Sequence, residues 1–175
     1  NIMAGIIKVN QYQDFNGNTI LTSDGSGNLT TQKTNYPAFR ATLSAATSMG
    51  NGSTVKLDFG TEDFDTNNAY DTTNKRFTVP AGYAGKYFFK AQYALTLADR
   101  AYATVRFFKN GSNVEFTENL QSISSSGSLT AYMANSTIMD LVVGDYVEIY
   151  GRQDSGGTLT ANTARSEFCG MRIGS

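Results

Sequence analysis

The chain has 175 residues, of which 40% are hydrophobic and 17% are charged, and its net charge is -1 at pH 7. This length and composition predict one folded domain with at most a short appendage; they exclude a disordered chain, and the near-neutral charge excludes the basic footprint of nucleic-acid binding. Because histidine is absent and Cys169 is the single cysteine, imidazole metal sites, Ser–His or Cys–His catalytic pairs and an internal disulfide are excluded as well.

Residues 1–35 predict an extended or hairpin-like segment that attaches the protein to a particle or pairs between subunits. Its rich content of Thr, Asn, Ser and Gly is too polar for a domain of its own. The attachment candidates are a small apolar cluster at the front: Ile2, Ile6, Ile7 and Val9. In its composition, rich in Thr, Asn and Gly, the segment resembles the attachment regions of phage fibre and virion-decoration proteins. It predicts no signal peptide, and no apolar run predicts membrane insertion.

From Tyr36 onward the pattern is all-β. The predicted strands, in chain order, are Pro37–Leu43, Thr54–Phe59, Phe77–Val79, Lys86–Leu95, Tyr102–Phe108, Val114–Thr117, one or two within Thr130–Val143, Tyr146–Tyr150 and Glu167–Ile173. The clearest two-residue period is in Lys86–Leu95, whose second face is polar except for Phe88. No amphipathic helix is evident. Short strands with regular turns predict a sandwich or jelly roll.

An acidic cluster lies in a predicted loop between the second and third of these strands. It comprises Glu62, Asp63 and Asp65, and with Asn67 and Asn68 it offers the oxygen ligands that calcium favours. The alternative is a solvated acidic loop without a ligand. Calcium is left open here, but nothing else in the chain supports it, so no cofactor or metal site is assigned. No residue is assigned a catalytic role.

The stretch from Phe59 to Phe89 resembles the signature of the trimeric jelly-roll heads of complement component 1q and the tumour necrosis factor superfamily. Its landmarks are Phe59, Asp65, Tyr70, Phe77, Gly85, Tyr87 and Phe89. Gly144–Tyr150 (GDYVEIY) and Phe168–Ile173 (FCGMRI) resemble the penultimate and closing strands of that family. The interval between Phe77 and Gly85 is slightly longer than usual. The chain also lacks a collagen-like Gly-X-Y stalk before the head, which favours a viral or bacterial version.

The resemblance implies an all-β, tumour necrosis factor-like jelly-roll sandwich over residues 36–175 that assembles as a homotrimer. Such heads bind and assemble, and they do not catalyse. Subunits of the family meet through aromatic and aliphatic side chains near a three-fold axis. The candidates for core or trimer interface are Phe59, Tyr70, Phe77, Tyr87, Phe89, Tyr93, Tyr146 and Phe168.

The preferred hypothesis is a virion structural protein on the virion surface, namely a trimeric phage fibre, knob or capsid-decoration protein. Residues 1–35 would bind other virion proteins. The head would present the loops Ser44–Ser53, Asn119–Ser128 and Asp154–Asn162 to a host-surface glycan or receptor. The alternative is a secreted or cell-surface trimeric head, extracellular in location, that binds a receptor or carbohydrate.

Overall fold

The computed structural model of the protein describes residues 9–31, 36–97, 101–115, 117–122 and 127–174. Contacts divide the chain into two compact units, Asn1–Tyr36 and Pro37–Ser175, here called the leader and the head. All regular secondary structure in the described ranges is β-strand. These ranges accordingly hold no helix that is long and apolar enough to cross a membrane.

The described part of the leader is a three-stranded antiparallel sheet. Its strands are β1 (Gln11–Gln13), β2 (Thr19–Ser23) and β3 (Leu29–Thr31), with β2 in the centre. None of the side chains described in residues 9–29 is buried. Of the predicted attachment candidates, Val9 is 43% exposed, whereas Ile2, Ile6 and Ile7 lie outside the described residues.

The head contains two antiparallel sheets that pack face to face. Its strands, in chain order, are β4 (Ala38–Thr42), β5 (Thr47–Met49), β6 (Thr54–Lys56), β7 (Thr61–Asp65), β8 (Tyr70–Asp71), β9 (Arg76–Thr78), β10 (Gly85–Leu97), β11 (Tyr102–Lys109), β12 (Ser112–Asn113), β13 (Asn119–Ser122), β14 (Leu129–Leu141), β15 (Tyr146–Gln153) and β16 (Leu159–Gly174). The first sheet has the order β14–β10–β16–β4–β7, with β5 paired to β16. The second has the order β12–β11–β15–β9–β8, with β13 on β11 and β6 on β15.

This architecture confirms the predicted all-β jelly-roll sandwich. Lys86–Leu95, Tyr102–Phe108 and Tyr146–Tyr150 lie within β10, β11 and β15 as expected. Their alternation is strong because one face of each strand packs into the core and the other does not.

Two of the predicted segments, one loop and one strand, are wrong. Ser44–Ser53 was predicted as a polar loop but contains β5, which pairs with the first residues of β16 and buries Met49 completely. Val114–Thr117 was predicted as a strand, but the described residues form a turn, in which the backbone N–H and the hydroxyl of Thr117 both donate to the carbonyl of Val114. The first outcome depends on pairing with a distant strand, whereas the second arises from hydrogen bonds within the segment itself.

The core between the two sheets is dominated by aromatic rings. Phe39 stacks on Tyr70 with ring centroids 4.7 Å apart, and it meets Phe168 edge-on at 4.8 Å. Gly170 lies beside this cluster in β16, where a Cβ atom would sit 2.4 Å from the ring of Phe89. Glycine is therefore required there so that the central strands can approach the rings closely.

A candidate subunit interface on the first sheet

The outward face of the first sheet carries an apolar row that crosses four adjacent strands. Strand register places Ile138 opposite Phe88, Phe88 opposite Met171, and Met171 opposite Ala38. Ile138 is 61% exposed and Met171 is 50% exposed, while Phe88 and Ala38 are half-buried by their neighbours. We call these four residues the apolar row. Contiguous exposed apolar surface is a mark of an interaction site, whereas apolar residues scattered singly on a surface are ordinary.

A second row runs beside the first and is mostly polar. It comprises Ser136, Lys90, Cys169, Arg40 and Phe64, one residue from each of the five strands. Phe64 ends this row at the sheet edge and is 49% exposed. We call these five residues the polar row, of which Phe64 is the apolar end at the sheet edge.

The charges of the polar row are neutralised within the sheet itself. Glu167 accepts a hydrogen bond from the ammonium of Lys90 and lies 3.3 Å from Nε of Arg40. Nη1 of Arg40 also lies 3.1 Å from Oδ2 of Asp63. The hydrogen bond from Lys90 lowers the pKa of Glu167 against the opposing effect of burial. Two cations and two anions are thus already paired, which reduces the cost of covering this face.

A shallow groove of about 220 Å³ lies between the two rows. Its walls include Phe64, Phe88 and Met171, with Arg40 and Cys169 beside them. The thiol of Cys169 is half-buried, and burial raises its pKa, so it stays protonated at neutral pH and lacks the thiolate of a reactive cysteine. The groove is therefore an apolar recess with a protonated thiol beside it.

The predicted core or interface residues lie almost entirely elsewhere. Seven of the eight are buried inside the head: Phe59, Tyr70, Phe77, Tyr87, Phe89, Tyr93 and Phe168. Tyr146 is half-buried on the second sheet, where the guanidinium of Arg76 lies 4.3 Å from its ring centroid. That some of these eight residues also contact another subunit stays a prediction.

The apolar row was not predicted from the sequence, although one signal for it was present. Phe88 interrupts the otherwise polar face of β10, and that exception is the centre of the row. Ile138 and Met171 could not be added from the pattern, because their position beside Phe88 depends on the pairing of distant strands.

The predicted acidic loop is a strand. Glu62, Asp63 and Asp65 lie in β7, where alternation directs neighbouring side chains to opposite faces. Asp63 pairs with Arg40, and Asp65 accepts a hydrogen bond from the backbone N–H of Tyr70 at 2.8 Å. Within the described ranges, no group of three His, Cys, Asp or Glu residues is arranged to hold a metal ion. The expectation of a single acidic loop cluster was therefore wrong.

The predicted recognition loops are only partly loops. Ser44–Ser53 contains β5, Asn119–Ser122 is β13, and the last of them, Asp154–Asn162, turns into β16 at Leu159. Residues 123–126, within the predicted loop Asn119–Ser128, lie outside the described residues. Their role in contacting a partner stays a prediction.

Comparison with known proteins agrees with the fold of the head. The sequence matches the C1q domain family over residues 38–173. The fold is similar to the globular domain of zebrafish complement 1qA protein, with 19% identity and a TM-score of 0.51 over 78% of this chain and 97% of that one. It is also similar to murine APRIL at pH 5.0 (12% identity, TM-score 0.56) and at pH 8.0 (9%, 0.58), in each case over 79% of this chain and 99% of the other. Among curated proteins, none matches.

Proposed function

Because the chain belongs to the C1q domain family, we propose that it is a homotrimeric, non-enzymatic binding head, which residues 1–35 attach to a larger particle. Domains of this family typically form homotrimers, are generally non-enzymatic and are usually extracellular. The proposed binding head is residues 36–175, which includes the whole of the compact unit Pro37–Ser175. Trimerisation presents three equivalent sets of loops, so that weak individual contacts add up to useful avidity.

The observation that carries the proposal is the apolar row of Ala38, Phe88, Ile138 and Met171. Its exposed side chains gain free energy when another subunit covers them, at roughly 25 cal/mol per Å² of apolar surface. On the flank formed by the polar row, Lys90 and Arg40 are already paired with Glu167 and Asp63, so covering that flank leaves none of these four as an isolated buried ion. The face therefore combines an apolar driving force with a low cost of desolvation.

We propose that the particle is a virion and that the protein lies on its surface as a phage fibre, knob or capsid-decoration protein. The support is the composition of the leader, whose described residues form turns and short strands without a buried core. The proposed partners are other virion proteins at the leader and a host-surface glycan or receptor at the head. The second candidate is a secreted or cell-surface ligand head, which the usual extracellular location of the family favours equally.

Solution mass tests the proposed trimer. We expect light scattering after size exclusion to give about three times the 18.9 kDa chain mass for the wild type. Ile138→Glu adds a charge to the apolar row and is expected to give a folded monomer. Val142→Glu is the matched control, because Val142 is 65% exposed but lies in the turn after β14; it should remain trimeric. A monomeric wild type, or loss of assembly in the control alone, would refute the proposed interface.

Deletion of residues 1–35 separates the two candidate contexts. Loss of particle incorporation by an otherwise trimeric head supports attachment to a virion through the leader. Unchanged incorporation contradicts it. Saturable binding of a glycan or receptor by residues 36–175 in the absence of any particle would favour the ligand-head alternative.

A further inference from the structure

Within residues 9–29, the part of the leader whose side chains are described, no side chain is buried. Phe15 is fully exposed, and Leu29, Ile20 and Tyr12 are 65%, 50% and 49% exposed. A small sheet normally needs one face packed against other elements before it outweighs the chain entropy lost on ordering. The described strands of the leader therefore need a covering partner.

The two turns of the leader are nevertheless each held by a set of side-chain hydrogen bonds. Asp14–Asn18 (DFNGN) and Asp24–Asn28 (DGSGN) repeat the same pattern ten residues apart. In each, one carboxylate oxygen of the aspartate accepts two backbone N–H groups, and the other accepts the side-chain amide of the closing asparagine. Such aspartate turns fix local geometry without tertiary help. The sequence thus encodes a defined sheet whose faces are left open.

Both faces of this sheet carry apolar side chains. Tyr12 lies opposite Leu21, and Leu29 lies opposite Ser23 on the same face. Ile20 projects to the other face, since neighbouring residues of a strand alternate. One partner molecule packed on one face would leave the apolar side chains of the other face exposed. Covering both faces therefore favours several copies of the partner.

The strands also carry no charge that would keep identical copies apart. The only charged residues in the described range 9–31 are Asp14 and Asp24, and both lie in the turns. The edge strands β1 and β3 contain neither lysine nor proline, two of the residues by which proteins commonly protect sheet edges. Among the described residues, the outer edges of β1 and β3 pair with no further strand, so they are suited to another uncharged strand.

We infer that the leaders of three copies of this chain assemble with one another, pairing β1 of one copy with β3 of the next and covering each other's apolar side chains. The inference rests on the proposed trimeric head. Residues 32–37 join β3 to β4 along the sequence, and the first residue of β4, Ala38, is a member of the apolar row. A trimeric head would therefore hold three leaders at high effective concentration.

Hydrogen–deuterium exchange of the full-length protein tests this assembly. We expect slow exchange at the strand amides of residues 11–31 in the wild-type trimer. Tyr12→Lys places a charge in edge strand β1 and should accelerate that exchange roughly tenfold or more, while the mass of the trimer stays unchanged. Asn16→Lys, at the tip of the first turn, adds the same charge outside the strands and should leave the exchange slow.

The outcomes separate this inference from the proposed function. A trimer with rapid exchange throughout the leader overturns the inference and leaves the trimeric head intact. A trimer whose protected leader is insensitive to Tyr12→Lys also overturns it, because something other than neighbouring leaders would then cover the sheet. A wild-type monomer overturns both. In the head variant Ile138→Glu, loss of trimer mass together with loss of leader protection supports the inference.

Discussion

Replacing Gly170 by alanine tests whether the central strands pack as closely as the structure indicates. Gly170 lies in β16 between its cross-strand partners Phe89 and Phe39. An added Cβ would lie 2.4 and 2.7 Å from two ring carbons of Phe89 and 2.9 Å from one of Phe39. Carbon atoms normally meet at about 3.5–4.0 Å, so the rings must move by about 1 Å.

Neither ring can move freely. The ring of Phe89 has its centroid 5.4 Å from that of Phe77 and 6.1 Å from that of Phe168, so a displacement spreads through the core. Overpacking of this kind costs about 1–3 kcal/mol. Since about 1 kcal/mol lowers Tm by roughly 2–4 °C in a chain of this size, we expect Gly170→Ala to lower Tm by about 2–12 °C.

Urea denaturation at one fixed protein concentration, followed by circular dichroism, measures the loss of stability. Gly174→Ala is the matched control, because it lies in the same strand with no atom within 4 Å of its added Cβ. The control should be neutral or slightly stabilising, since alanine lowers the entropy of the unfolded chain. If Gly170→Ala remains within about 0.5 kcal/mol of the wild type, the reasoning about close packing is wrong.

Two further substitutions test single interactions of the head. Tyr70→Phe removes the buried hydrogen bond from the tyrosine hydroxyl to the carbonyl of Phe59, 2.7 Å long, and should cost about 1–3 kcal/mol in urea denaturation because that carbonyl loses its partner. Glu167 has a pKa below its ordinary value of 4.5, chiefly because Lys90 donates to it; its contribution to stability is therefore present above pH 4.5 and is lost as the pH falls through the lowered pKa. Glu167→Gln should be less stable than the wild type at pH 7 and should converge with it in acid; a constant difference across this range would contradict the assigned ion pair.

The strands that could be predicted from the sequence are those with a self-contained pattern. In β10 the alternation of buried and polar residues identifies the strand and its core face, and the signature from Phe59 to Phe89 identifies the family. The edge strand β7 was missed because its side chains are almost all exposed, so that burial imposes no alternation of apolar residues on it.

The sequence by itself determined the all-β class, the family and most of the aromatic core, because alternating burial leaves its mark on consecutive residues. Only the tertiary structure decided the candidate interface. Ala38, Phe88, Ile138 and Met171 are far apart in the chain, and they form one row because long-range pairing sets the register of four strands. A shift of any pair by one residue would turn a member of the row toward the core, and no local pattern specifies that pairing.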